Sequence, residues 1–494
     1  MEEPIPEKAA DAEISQEAKI EPQVKNEDDL IPAESLTSST HLYSTRSKDK
    51  LSEAENKSLL KQKQNNVIVQ PRLKPLPFKK EDLFLKSKSL TKSAAGRYND
   101  IEFYHFEDHP FNRRGFKYKP CHPNPLFSSN LFSTTDMEPF TVRPSYFDRS
   151  QGILFSSEMN CVTTSQGWRS VRANCGIREG KYYMEFDIVN SQNGSGHVRL
   201  GLARKEASLE APVGFDGYGY GLRDIHGQKI TLSRPKNFMN NEGFKSGDVI
   251  GILIELPSLT EHRNAVEDFI KNKLRSRKSD SIEEKGSHKK RKKAKAHHDE
   301  NALQDNEAFL AFNNISRDQI PIRYKNALFY EQYEYTPTRK MEHLLNPVTV
   351  FGEKAILEKT GGQEESNSLP RIPNSKIVVY KNGVEIGTMF ENLYSFLPTN
   401  EENEEADISL NTKQQQNPNY KNTDDGSLGY YPMLSVFLGG IVGLNPGPDF
   451  KFPVSQNPDV KPLSSRYDEV VIEEWYWDLI DEIEAEYLDS FDVQ

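Results

Sequence analysis

Cysteine is scarce in this 494-residue chain: it has three, Cys121, Cys161 and Cys175, and no two of them form a C-x2-C pair. So sparse and odd a set argues against a disulfide scaffold and paired-cysteine zinc ligation, and suggests a reducing compartment. No run of about 18 apolar residues occurs, so no membrane-spanning helix is expected. Met1-Glu2-Glu3-Pro4 offers neither a basic n-region nor an apolar h-region, so a secretory leader is not expected either. Apolar residues make up only 35% of the chain against 28% charged. That is too little for one compact globule of this length, and fits a sizeable core interrupted by long polar segments. The motifs of common chemistries are also missing: no G-x-G-x-x-G after a strand, no P-loop, no G-x-S-x-G and no H-E-x-x-H. His197, His226, His297 and His298 stand without a matching Cys or Ser motif. No catalytic residue, no metal and no cofactor is therefore expected.

Charge is present but unevenly placed. The net charge of −11 does not attract nucleic acid as a whole, although a local basic stretch still can. Residues 1–40 hold eleven Asp/Glu and three Lys, and aromatics are few before Phe78, so we expect a disordered acidic tail over 1–70. Residues 71–95 reverse the sign, with seven Lys/Arg interleaved with Leu73, Leu76, Phe78, Leu83, Phe84 and Leu85. They read as a linker docked on the main domain or as an arm touching DNA phosphates. Residues 100–150 are rich in Phe, Tyr and Pro and are expected to be irregular but packed, so that 71–150 forms an extension lying on the neighbouring sheet.

From 151 the texture becomes all-β. Tyr182, Met184, Phe186 and Ile188 alternate along 181–189, Val198–Leu202 is a second strand, and 248–256 is a nearly continuous apolar third. Lys376–Tyr380 runs into Asn382-Gly383, whose two residues suit the positive-φ positions of a type I′ hairpin turn. The sandwich would comprise 151–261, 319–398 and 428–465, interrupted by a disordered basic insert at 262–318 and a polar one at 399–427.

A family resemblance rests on motifs in order. Gly167-Trp168-Arg169-Ser170-Val171-Arg172-Ala173 and Gly176–Glu185 come first. Arg199-Leu200-Gly201, Gly217-Tyr218-Gly219-Tyr220 and Gly247–Gly251 follow, then Tyr380-Lys381-Asn382-Gly383 and Tyr431-Pro432-Met433-Leu434-Ser435. Together they resemble a SPRY domain, a β-sandwich. Ala211–Asp216, Pro446–Pro453, Gly115–Tyr118 and Arg323–Tyr330, the last looking like a mid-domain strand, are similar to the Ash-two (Bre-two-type) family of COMPASS histone methyltransferase subunits. No Cys/His zinc-finger pattern precedes them, so the fungal form fits better.

The resemblance implies a non-catalytic scaffold of a histone H3 lysine 4 methyltransferase in the nucleus, on chromatin, with the Set-one catalytic subunit as a partner. It implies that Trp168, Arg199, Pro212, Phe215 and Arg223 grip an acidic extended segment of a WD-repeat (Swd-one-type) subunit, as arginine forks suit carboxylates. Trp168 and Phe215 stand where animal relatives have tyrosines, and Ile225 falls near an expected lysine. Read without the family, Trp168 and Phe215 would be ordinary sandwich core.

Residues 466–490 form a candidate amphipathic helix. Ile472, Trp475, Tyr476, Leu479, Ile480, Ile483 and Tyr487 recur at spacings of three and four. Glu473, Glu474, Asp478, Asp481, Glu482, Glu484 and Glu486 fill the other face, and no Lys or Arg follows Arg466. Such a helix docks on its own domain or enters a partner's groove. The resemblance favours a groove in a Dumpy-thirty (Sdc-one-type) dimer. Lys289, Lys290, Arg291, Lys292, Lys293 and Lys295 give six basic residues in seven, which suits nuclear import or nucleosomal DNA contact as well as a merely solvated run. The rival function is a SPRY adaptor recognising substrates for ubiquitin ligation or signalling, although the C-x2-C series of a RING is missing. No membrane contact is expected.

Overall fold

The computed structural model describes residues 73–84, 91–98, 100–107, 110, 115–283, 315–325, 327–345, 369–398, 424–453 and 458–491. The acidic tail, the Lys289–Lys295 run and residues 399–423 of the second insert lie outside them.

Three sheets carry the fold. The largest runs, in hydrogen-bonded order, Thr91–Tyr98, Ile101–Glu107, Leu154–Ser156, Cys161–Thr163, Ile441–Asn445, Gly180–Asn190, Val249–Leu256, Lys376–Lys381 and Val384–Glu391. Val460–Pro462 pairs in parallel with Gly180–Asn190. The second runs Arg234–Asn237, Gln228–Thr231, Gly219–Arg223, His197–Ala203, Tyr431–Phe437, Arg169–Ala173 and Pro144–Arg149. The third joins Ile320–Tyr324, Ala327–Tyr333, Phe116–Pro123 and Phe132–Thr134.

The first two sheets close on one core, which makes the architecture a sandwich. Met184, Phe186, Ile188, Ile250, Ile252, Ile254, Ile377 and Val379 meet Val171, Val198, Leu200, Leu202, Leu222, Leu434 and Val436 in a single cluster. Each such side chain, fully buried, contributes about 1.5–3 kcal/mol of hydrophobic stabilisation. The strand Val249–Leu256 is apolar but for Glu255 because both its faces are covered. Leu253 joins Tyr183, Val378 and Tyr380 in a separate cluster beneath Phe450. The strap bearing Phe450 is tied down by Glu185, a fully buried carboxylate that accepts the N–H groups of Lys451 and Phe452 at 2.8 and 2.7 Å. The hairpin turn is as the sequence predicts: Asn382 and Gly383 have φ of 49° and 80°, with Lys381 opposite Val384.

The structure departs from the expectations in three places. Within 100–150, expected to be irregular, Ile101–Glu107 forms a β-hairpin with Thr91–Tyr98, and Phe116–Pro123, Phe132–Thr134 and Pro144–Arg149 are strands as well; Phe103 and Phe106 are buried where the hairpin joins the large sheet. The 323–330 stretch is not one strand. It turns at Lys325, whose φ is +52°, so Tyr324 pairs with Ala327. The 262–318 segment, expected to be a disordered insert, opens as the long helix Leu259–Glu283, and near its far end Arg317 is buried against Asp478. His262, Val266 and Ile270, four residues apart, are buried on the helix's inner face, and this apolar stripe overrides the charged composition.

Candidate protein-binding surfaces

The outer face of the second sheet carries the first surface. Arg199 and Arg223 are cross-strand neighbours, and Arg199 also stands opposite Ser435. Their side chains therefore share one face. The Arg199 guanidinium lies 4.9 Å from the centre of the Trp168 ring, a cation–π distance. Trp168 in turn leans on Phe437 at 5.3 Å between ring centres. The loop carrying Pro212 and Phe215 lies over the same face. Val213 N–H donates to the Ser435 hydroxyl at 3.0 Å, and the Ser170 hydroxyl donates to the Ala211 carbonyl at 2.8 Å. Gly221 makes room for it: a Cβ there would sit 2.6 Å from the Val213 carbonyl oxygen. Trp168 is half-buried and Phe215 is exposed, so neither is sandwich core.

Asp224 is nearby but otherwise engaged. Its carboxylate accepts from the Ser191 hydroxyl at 2.7 Å and lies 2.9 Å from His197 Nδ1. Arg223 donates instead to Gln228 at 2.7 Å. Burial and then the neighbouring Arg223 push the Arg199 guanidinium down to about 10. Two crowded arginines and an indole, beside a loop whose Phe215 is exposed and whose Pro212 is buried, form a surface suited to a carboxylate or other anion on an extended chain.

The C-terminal helix, Arg466–Asp489, forms the second surface. Its root is fixed. Leu463 is fully buried, Arg466 Nε donates to the Gly176 carbonyl at 3.0 Å, and Arg466 forks onto Glu473 with two bonds of 2.7 Å. Tyr467 and Val470 rest against the sandwich core.

Beyond that point the helix seats itself by its acidic side. Asp478 and Glu482 are buried, whereas Ile472, Trp475, Tyr476, Leu479, Ile483 and Tyr487 are exposed and Ile480 is half-buried. Glu482 accepts the backbone N–H groups of Ser128, Ser129 and Asn130 at 2.6, 2.8 and 2.6 Å. Asp478 accepts the N–H of Thr134 at 2.7 Å and an N–H of Arg317 at 2.6 Å. Arg317 also lies 3.4 Å from both Glu474 and Asp481, and Lys119 pairs with Glu474. Despite the opposing cost of burial, Lys119 and Arg317 hold Glu474 below the ordinary carboxylate range. The three N–H groups do the same for Glu482. Burial instead pushes Asp481 up to about 7, with Arg317 opposing. The helix thus docks on its own domain and still presents its apolar stripe to solvent.

Among the described residues no group of three His, Cys, Asp or Glu could hold a metal, and no helix is long and apolar enough to cross a membrane.

No family model matches the chain. Among curated proteins it is 34% identical over 426 residues to the COMPASS component cclA of Colletotrichum higginsianum, covering 78% of this chain and 69% of that protein. It is 30% identical over 468 residues to the COMPASS component BRE2 of Saccharomyces cerevisiae, covering 78% of this chain and 89% of that one. The chain belongs to the Ash2/Bre2 family of COMPASS components. The Set1 complex component ash2 of Schizosaccharomyces pombe is 34% identical over 386 residues, which cover 77% of this chain and 47% of that protein. This Ash2/Bre2-type chain thus spans about half the length of its fission yeast relative. A solved human SPRY domain is matched with a TM-score of 0.26 and 12% identity, over 61% of this chain and 98% of that one; the sheet order above carries the fold.

Several site residues of this Ash2/Bre2-type chain escape a sequence reading. Phe437 ends the strand Tyr431–Phe437, just past the last motif, and has no pattern of its own. Lys119, Ser128–Asn130, Thr134 and Arg317 receive the acidic face from far away in sequence, from 157 residues for Arg317–Glu474 to 358 for Ser128–Glu486.

Proposed function

We propose that this chain is a non-catalytic subunit of a nuclear, chromatin-bound COMPASS-type histone H3 lysine 4 methyltransferase, with catalysis on a Set-one-type chain. Its arginine–tryptophan surface grips an acidic, extended segment of a WD-repeat (Swd-one-type) subunit through Trp168, Arg199, Pro212, Phe215 and Arg223. Its C-terminal helix offers Ile472, Trp475, Tyr476, Leu479, Ile480, Ile483 and Tyr487 to a Dumpy-thirty (Sdc-one-type) dimer. The observation that carries this reading is the outward-facing apolar stripe on a helix already seated by its other side. An exposed row with three large aromatics, Trp475, Tyr476 and Tyr487, is costly to leave in water, and fits a partner's groove. The basic residues at 72–92 and Lys289–Lys295 would add salt-sensitive contacts to nucleosomal DNA.

Capture of each partner by the full chain tests the proposal. Leu479→Asp with Ile483→Asp should abolish binding of the small dimer and leave the WD-repeat protein bound. Arg199→Glu should do the reverse. Wild type binding neither partner would overturn the proposal and favour an adaptor role for the same sandwich.

A further inference from the structure

Glu474, Asp478, Glu482 and Glu486 recur every four residues and so form one stripe along the C-terminal helix. In an isolated helix such like-charged neighbours disfavour the fold, and no Lys or Arg after Arg466 relieves them. On the domain each carboxylate finds a donor. Lys119 and Arg317 face Glu474, while Arg317 and Thr134 N–H face Asp478. The N–H groups of Ser128–Asn130 converge on Glu482, and the Ser128 hydroxyl reaches Glu486 at 2.5 Å. Arg317 is at the centre of this receptor. Its side chain is 2% exposed and it meets three carboxylates of the helix, at 2.6 Å from Asp478 and 3.4 Å from Glu474 and Asp481. It comes from the far end of the long 262–318 segment, close to where that segment rejoins the third sheet.

We infer that Arg317, with the Ser128–Asn130 backbone, is a positioning element that folds the C-terminal helix and aims its apolar face outward before the partner arrives. The domain supplies the counter-charge that the helix sequence lacks. Ordering is then complete before binding, so the partner meets a preformed ligand rather than a self-repelling peptide. Arg317 acts through the helix and has no need to touch the partner. The inference rests on the helix reading under Proposed function.

The test measures affinity of a recombinant Sdc-one-type dimer for the full chain and for a peptide of residues 466–491. The full chain should bind at least about tenfold more tightly than the peptide, because the peptide must form its helix on binding. Arg317→Met in the full chain should bring its affinity down to the peptide's, while binding of the WD-repeat protein is unchanged. Glu482→Gln should act with opposite signs. It should weaken the full chain, because one of the two oxygens that take the Ser128–Asn130 N–H groups becomes an NH2 donor and the charge is lost, and leave the peptide unchanged or tighter, since one like-charge repulsion is gone. That reversal is not expected of a residue that merely keeps the domain folded, and it decides the matter even if Arg317→Met fails to fold. Equal binding by chain and peptide, or a folded Arg317→Met chain with wild-type affinity, would overturn the positioning role while the helix reading stands. Binding by neither would remove the helix reading and the positioning role with it.

Discussion

The helices Leu259–Glu283 and Arg466–Asp489 are nearly equal in length and meet the same domain with opposite chemistry. The first turns Val266 and Ile270 inward and follows the usual rule of apolar burial. The second buries Asp478 and Glu482 and leaves Trp475, Leu479 and Ile483 outside. Apolar burial needs no directional partner, so the first helix could settle wherever the core had room. A buried carboxylate needs donors at set places, and the second helix is accordingly met by backbone N–H groups, a threonine and a shared arginine. The comparison shows that amphipathicity predicts a helix but not which of its faces the domain takes.

Three measurements would break or sharpen the contrast. The largest effect should come from the inward apolar face. Ile270→Ala should lower stability by about 2–4 kcal/mol in denaturant unfolding, because it opens a cavity in the core. A loss under about 0.5 kcal/mol would mean that the long helix is not anchored there. Next, Leu479→Ala on the outward face should leave unfolding within about 0.5 kcal/mol of wild type. The same change should weaken capture of the small dimer by about tenfold or more, as expected for an anchor in a groove. A stability loss as large as that of Ile270→Ala would refute the outward orientation. The smallest effect concerns Asp481, whose carboxyl is pushed up to about 7 by burial. Its folded value lies above the ordinary 3.8, so the native state holds this proton more tightly, and the associated stability is present at low pH and lost as pH rises towards 7. Asp481→Asn should therefore gain up to about 1 kcal/mol at pH 8 and little at pH 4, in thermal melts across that range. An equal gain at both ends would assign the effect to something other than titration.

Much of the fold can be read from local signals. Asn382-Gly383 announces its hairpin, and the alternation of Tyr182, Met184, Phe186 and Ile188 names the inner face of a central strand, because both follow from backbone geometry. The patch of Trp168, Arg199, Pro212, Phe215 and Arg223 is visible as a resemblance; the structure sets Trp168, Arg199 and Arg223 side by side, with Phe215 exposed and Pro212 buried in the neighbouring loop. The His262–Val266–Ile270 stripe is harder to see, since charged residues surround its buried positions. The seating of the C-terminal helix is not local at all. It depends on Ser128–Asn130, Thr134 and Arg317, which lie in loops or at strand ends and carry no periodicity, so only the folded chain brings donor and acceptor together.

The fixed root of the C-terminal helix has a consequence of scale. At 1.5 Å per residue, its 24 residues extend about 36 Å from the anchored Arg466. With its base clamped at Gly176 and its flank held by Ser128–Asn130, it is a rigid arm rather than a tether. Under the proposed function, a partner gripping its outer turns would be held at one distance and one bearing from a partner on the arginine–tryptophan face, so that the chain would set spacing as well as affinity.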